Sequence, residues 1–188
     1  VPRDENGRSC HESAEPAPEE TGMKHLAAII VLSACVLGAG RHHAGFSGTW
    51  KMNIAKSKNL PPSFRNLDSY SMKIEGSDDS MTVNVEFEGS GQKVSPPPAV
   101  YAFHGKERYR EDTLRGSKRW TTSSWTTTGQ KLIVTSRVIQ TQGRERHYTE
   151  TDVWEFRNRN TLEIHVTQKF EGSDSTNSER RIFRRAAN

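Results

Sequence analysis

The residues best suited to chemistry gather late in the chain. Glu150, Asp152, Trp154 and Phe156 recur at every second position, the period of one face of a strand. If Trp154 and Phe156 face a core, both carboxylates face it too. Asn158-Arg159-Asn160 reads as a tight turn. The register that keeps faces matched then sets Phe156 opposite Leu162, Trp154 opposite Ile164, Asp152 opposite Val166 and Glu150 opposite Gln168. The same reasoning on the next hairpin sets Gln168 near Arg180 and Val166 near Ile182, so that Glu150, Gln168 and Arg180 line up across three strands. An inward carboxylate is costly unless paired, which makes Arg180 its expected partner. Ser136 and His104 also fall on apolar-alternating positions and extend this polar wall. Such a wall serves a ligand cavity or a structural network. Two carboxylates on one strand also suit general acid–base chemistry, as in glycoside cleavage. A neighbouring Arg, however, holds Glu150 ionised, which disfavours it as an acid.

Other chemistries find less support. Glu145 with His147, and Glu163 with His165, stand two residues apart on the outer face. Strand pairing brings His165 beside Val153 rather than His147, so no metal site is expected. There is no phosphate-cradling glycine loop and no nucleophile elbow. The two cysteines, Cys10 and Cys35, both lie upstream of the patterned region, which leaves it without disulfide or thiol chemistry. Trp120 and Trp125 among threonines suggest a glycan-stacking patch, but their odd spacing puts them on opposite faces. No cofactor is expected. Aromatic and basic residues interleave too weakly to suggest nucleic acid.

The elements that carry these residues are strands. From Phe46 onward the period is two almost throughout: Trp50 to Ile54, Tyr70 to Ile74, Met81 to Phe87, Val100 to His104, Trp120 to Trp125, Leu132 to Ile139, Arg146 to Phe156, Leu162 to Phe170 and Asn177 to Arg184. Lys106 to Lys118 reads as a charged loop with a weak strand around Tyr109. Ile54 to Phe64 has room for one helical turn, which Pro61-Pro62 would stop. Short Gly, Asn, Asp and Ser turns predict an all-β fold, an eight- to nine-stranded antiparallel up-and-down barrel over residues 45–186, with a two-sheet β-sandwich as the alternative. The composition agrees. Of 188 residues 32% are hydrophobic and 27% charged, too polar for a core on both faces of a sheet. From Phe46 onward the charge is mildly basic, and the bases are scattered except for Arg180, Arg181, Arg184 and Arg185.

The N-terminal part reads as targeting. Met23-Lys24-His25 begins a short basic start, and Leu26 to Leu37 is nearly all apolar, the length of a signal h-region and too short to span a bilayer. Residues 1–22 are acidic and are read as a non-native or disordered extension, with 23–44 as signal peptide and linker. Leu32-Ser33-Ala34-Cys35 is similar to a bacterial lipobox, whose cysteine is lipidated. Cleavage among the small residues from Gly38 to Ala44 is the alternative. An exported protein is expected, periplasmic or extracellular, touching membrane only through a signal or lipid anchor, and a monomer.

Gly48-Thr49-Trp50 at the first strand, Thr151-Asp152 on a late strand and a terminal arginine from Arg180 onward occur in the order that lipocalins place their Gly-x-Trp, Thr-Asp-Tyr and Arg. Val153 stands where the family has Tyr. Lys56-Ser57-Lys58 after Trp50 resembles small exported bacterial lipocalin-like proteins of the calycin type. The resemblance implies a closed barrel with Gly48 and Trp50 at its plugged end. Trp50 needs an acceptor for its N–H and an arginine on its face. Binding of a small hydrophobic or amphipathic molecule between Trp154, Phe156, Phe87 and the Glu150/Arg180 wall is the function expected. A hydrolase or isomerase using Glu150 or Asp152 is the alternative, and an interaction module without ligand a third.

Overall fold

Alternation of apolar and polar residues, rich in Val, Ile, Thr and aromatics, drives nearly the whole patterned region into strands. The computed structural model describes residues 43–113 and 116–187. The chain divides into two units, Val1–Val36 and Leu37–Asn188, and every described residue belongs to the second. The apolar segment 26–37, Cys35 and the acidic stretch 1–22 lie outside the described residues.

Eleven strands form one antiparallel sheet: β1 (Gly48–Met52), β2 (Ser69–Gly76), β3 (Ser80–Gly89), β4 (Gln92–Val94), β5 (Ala99–Ala102), β6 (Arg108–Asp112), β7 (Ser117–Trp125), β8 (Lys131–Gln140), β9 (Arg146–Asn158), β10 (Thr161–Phe170) and β11 (Thr176–Arg185). Their order is β4-β3-β2-β1-β11-β10-β9-β8-β7-β6, with β5 pairing the other half of β3. The sheet is a meander in which the first strand also pairs the last. A single sheet replaces the two-sheet sandwich. Two strands exceed the expected count. Gln92–Val94 folds back on β3 after the Ser90-Gly91 turn, and Arg108–Asp112 is paired with β7 despite its charge. Pairing with a neighbour outweighs the poor strand propensity of Arg, Glu and Asp there. Among the described residues the ladders end at β6 on one side and at β4 and β5 on the other. Past the end of β6, β7 meets β5 and the turn after it: Ser123 Oγ donates to the Ala102 carbonyl at 2.8 Å and the Gly105 N–H to the Ser123 carbonyl at 3.1 Å.

The link from β1 to β2 corrects the expectation about its prolines. A 3-10 turn covers Ile54–Lys56, and a four-residue helix, α1 (Pro62–Arg65), begins with Pro62 in its first turn. Proline does not stop a helix here. It starts one, because its missing N–H is unused in the first turn. Phe64 of α1 is buried against Tyr70.

On the inner face of β7 to β11 the residues lie in rows. Trp125, Leu132, Trp154, Ile164 and Arg181 form one row; Ser123, Val134, Asp152, Val166 and Glu179 the next; Thr121, Ser136, Glu150, Gln168 and Asn177 the third. Polarity rises from row to row. Below the first row, Leu162 faces Phe183 and Phe156, and a 3-10 turn at His43–Phe46 inserts Phe46. Phe46 stacks on Phe156 at 4.5 Å and touches Trp125 and Trp154. Trp50 is fully buried, and its Nε1 donates to the Phe46 carbonyl at 2.8 Å.

The arginine expected on the Trp50 ring is Arg185, 4.2 Å from its centroid. Arg185 also donates to the Ser47 and Gly45 carbonyls at 2.7 and 2.8 Å. This explains Gly48. Its φ is +126°, and a Cβ there would lie 2.6 Å from Arg185 Nη1. Any side chain would be strained in backbone and would displace the arginine that covers the tryptophan.

Candidate functional site

The hairpin of β9 and β10 takes the register expected of it: Phe156 faces Leu162, Trp154 faces Ile164, Asp152 faces Val166 and Glu150 faces Gln168. Asn158 Oδ1 accepts from the Asn160 N–H at 3.0 Å, which tightens the turn. Glu150 Oε2 accepts from Gln168 Nε2 at 2.8 Å. Ser136 lies opposite Glu150 on β8 and shares a 2.9 Å hydrogen bond with Thr121.

The next hairpin does not follow expectation. Val166 pairs with Glu179 and Gln168 with Asn177, whereas Arg180 pairs with His165. The shift is an odd number of residues, so it exchanges the faces of β11. Arg180 therefore points outward, onto Glu163, and Arg181 and Glu179 take the inner face. The partner of Glu150 comes from β7 instead. Arg119 Nη1 donates to Glu150 Oε1 at 2.5 Å, with both side chains mostly buried. Arg181 pairs with Glu179 on its own strand and lies 4.6 Å over the Phe64 ring. His104 is exposed in the turn after β5, at φ +67°. Phe87 does face inward, nearly parallel to Tyr70 at 6.4 Å, and Tyr101 of β5 meets Trp154 edge-on at 6.0 Å.

Charge balance governs this interior. Burial pushes Glu150 up, but Arg119 and the hydrogen bond from Gln168 outweigh it and hold the carboxyl below its ordinary value. Asp152 receives no such help. Burial, then the neighbouring Glu150 carboxylate, push it up to about 7, against the partial relief of Arg181 and Arg119. Burial and Asp152 push the Tyr101 hydroxyl up to about 12. Three carboxyls thus face two guanidinium groups, and Asp152 is the one pushed toward its neutral form. Among the described residues, Asp152 Oδ1, Trp154 Nε1, Glu179 Oε2 and Arg181 Nε of this face are buried without a hydrogen-bond partner. Buried polar groups are nearly always paired, so such a group signals a bound water, an ion or a ligand.

Sequence reasoning missed Arg119, Tyr101, Glu179 and Arg181. Arg119 was within reach, since it shares the parity of Trp125, Ser123 and Thr121. Glu179 and Arg181 were not: Ile182 and Phe183 are adjacent and both buried, so alternation cannot tell which of them faces in.

The outer face holds a second carboxylate cluster. Glu163 is fully buried beneath Arg157, Arg180 and His165. Arg157 donates from Nε and Nη2 to its two oxygens at 2.8 and 2.9 Å, and Arg180 Nη2 donates at 2.8 Å. The Arg157 bonds above all hold this carboxyl far below the usual carboxylate range. Glu145, His147 and Glu171 form a smaller exposed group, in which the Glu145 hydrogen bond raises the His147 pKa. Among the described residues no three His, Cys, Asp or Glu gather as metal ligands, and no helix is long and apolar enough to cross a membrane.

A comparison with models of known protein families finds no match, and no curated protein matches the chain.

Proposed function

We propose that the inner face of β9 to β11 binds a small amphipathic molecule, and that the protein is an exported, lipocalin-like carrier. The four unpartnered polar atoms on Asp152, Trp154, Glu179 and Arg181 support this reading most directly. They put two acceptors and two donors on adjacent inner rows of β9 and β11, with Ile164 and Val166 of β10 between them, a set that complements a polar head group. Phe87, Tyr70 and Tyr101 supply an aromatic wall for an apolar body. Closure of the curled sheet into a full barrel, by the edges that meet at Ala102 and Ser123, belongs to the same proposal. Native mass spectrometry of protein purified from its host compartment tests it. A stoichiometric adduct lost in Asp152→Leu is the expected result. An apo mass, with ordered waters filling all four positions in a crystal structure, would overturn it.

The export half of the proposal rests on the segment from Met23 to Ala44. Cell fractionation and the intact mass of the mature chain test it. Cleavage between Gly38 and Ala44 leaves a soluble product, and an acylated Cys35 gives a lipid anchor.

One observation favours a second reading, as a hydrolase or isomerase. Glu150 and Asp152 stand on one strand with pKa values driven apart, one ionised and one titrating near neutrality. Paired carboxyls so separated suit acid–base catalysis. In that case Asp152→Asn abolishes turnover of a screened substrate while the fold persists, whereas a carrier has no turnover to lose.

A further inference from the structure

The outer face of β11 carries a groove that the interior reading leaves unused. Pairing of β1 with β11 stops at Met52 and Phe183 and resumes at Lys58 and Arg180. Between these points the chain arches outward as the Ile54–Lys56 turn. The arch is tied down twice: Asn53 Oδ1 accepts from the Lys56 N–H at 3.0 Å, and Ser57 Oγ accepts from the Ile182 N–H at 3.0 Å. It covers Ile182, which is why an apolar residue on the outer face is buried.

Between arch and strands lies a groove of about 440 Å³ lined by Lys56, Lys58, Arg157, Arg180, Arg184 and Glu163. Five cations meet one carboxylate. Both Glu163 oxygens are already engaged by Arg157 and Arg180, so Glu163 fixes two guanidinium groups and has nothing left for the remaining charge. Among the described residues Arg184 Nη1 donates to a neutral hydroxyl, that of Thr161, at 2.5 Å. Among the described residues Lys56 and Lys58 join no ion pair. Arg180 Nε is buried without a partner. Like charges held this close repel one another and destabilise the fold unless an anion enters.

We propose that this groove binds a phosphate monoester group. The cations come from three directions, the arch, β9 and β11. A tetrahedral dianion with several outward oxygens meets such an arrangement better than a planar carboxylate, which one guanidinium satisfies. The volume admits more than the phosphate alone. A free phosphate or sugar phosphate and a phosphomonoester lipid head group share this chemistry.

The test uses inorganic phosphate on the full chain, at ionic strength matched with chloride. Phosphate is expected to raise the melting temperature, since a ligand that binds only the folded state stabilises it. Calorimetric titration of the Lys56→Gln/Lys58→Gln variant should show affinity reduced about tenfold or more, the weight of two charge-assisted contacts. Both lysines are exposed, so the variant is expected to fold and, with part of the repulsion removed, to melt at or slightly above the parent in chloride. Arg184→Gln should weaken phosphate binding less. Equal melting in phosphate and chloride, or unchanged affinity in the lysine variant, would overturn the proposal. Vesicles of phosphatidylcholine doped with phosphatidic acid separate the two sources. Sedimentation with them, blocked by glycerol phosphate, supports a lipid head group. Binding of soluble phosphate without sedimentation supports a free ligand. Equal attachment to phosphatidylserine vesicles, which carry no monoester, would show diffuse attraction and sink the proposal.

Discussion

Strands β9 to β11 carry a buried carboxylate cluster on each face, and the two are built with opposite charge balance. Inside, Glu150, Asp152 and Glu179 share Arg119 and Arg181. Outside, Glu163 alone is held by Arg157 and Arg180, with His165 beside it. Burial is the largest influence raising Asp152 and the Arg157 bonds are the largest influence lowering Glu163, so Asp152 titrates near neutrality while Glu163 stays ionised far below its ordinary range. The ratio of guanidinium to carboxyl adds to this difference. A carboxyl given two arginines is locked, and one left to share them keeps a proton available. The interior lacks positive charge and the exterior groove lacks negative charge, which is why an amphipath is proposed for one and a phosphate monoester for the other.

The largest way to break this contrast is Arg119→Ala. It strands a buried Glu150 and should cost roughly 3–5 kcal/mol in urea unfolding. Next comes Glu163→Gln, expected to cost about 2 kcal/mol at neutral pH. The loss is smaller than for Arg119 because Arg157 and Arg180 keep part of their surface in water. Its sign with pH is fixed by the depressed carboxyl. The stabilisation is complete above the ordinary value of 4.5 and fades as pH falls below it, so parent and variant converge in acid. Asp152→Asn should act the other way and stabilise by about 1 kcal/mol above neutrality. Between 3.8 and about 7 the folded protein keeps a proton that the unfolded chain has released. Stability therefore falls as pH rises through that window, and the gain from Asn grows across it. Melting curves at several pH values decide this. A pH-independent gain would mean that Asp152 does not titrate there, and the contrast would fail. Arg157→Ala should cost no more than Glu163→Gln, because Arg180 and His165 remain on Glu163. A loss as large as that of Arg119→Ala would show that the outer cluster is not redundant.

Much of this was legible in the chain. The two-residue period from Trp50 to Phe183 carries the all-β fold, and the Asn158–Asn160 turn carries the register that joins Glu150 to Gln168. A tight turn leaves a hairpin few registers, and matched faces select among them. The five residues between Phe170 and Thr176 leave several, and the adjacent Ile182 and Phe183 remove the parity signal. That is why Arg180 was expected where Arg181 stands. Glu163 was placed on the outer face without burial because alternation describes one strand and not Arg157 and Arg180 of the neighbouring strands, which cover it.

The sequence by itself determined most of the strands, the inward carboxylates and the glycine and tryptophan of the first strand, since period and turn chemistry are local. Only the tertiary structure decided which arginine meets which carboxyl. That choice depends on register between distant strands, and a one-residue slip exchanges two faces whose residues are chemically alike. It placed Arg119 on Glu150, Arg185 on Trp50 and Arg180 on Glu163, and with them the sign of the charge that each face still lacks.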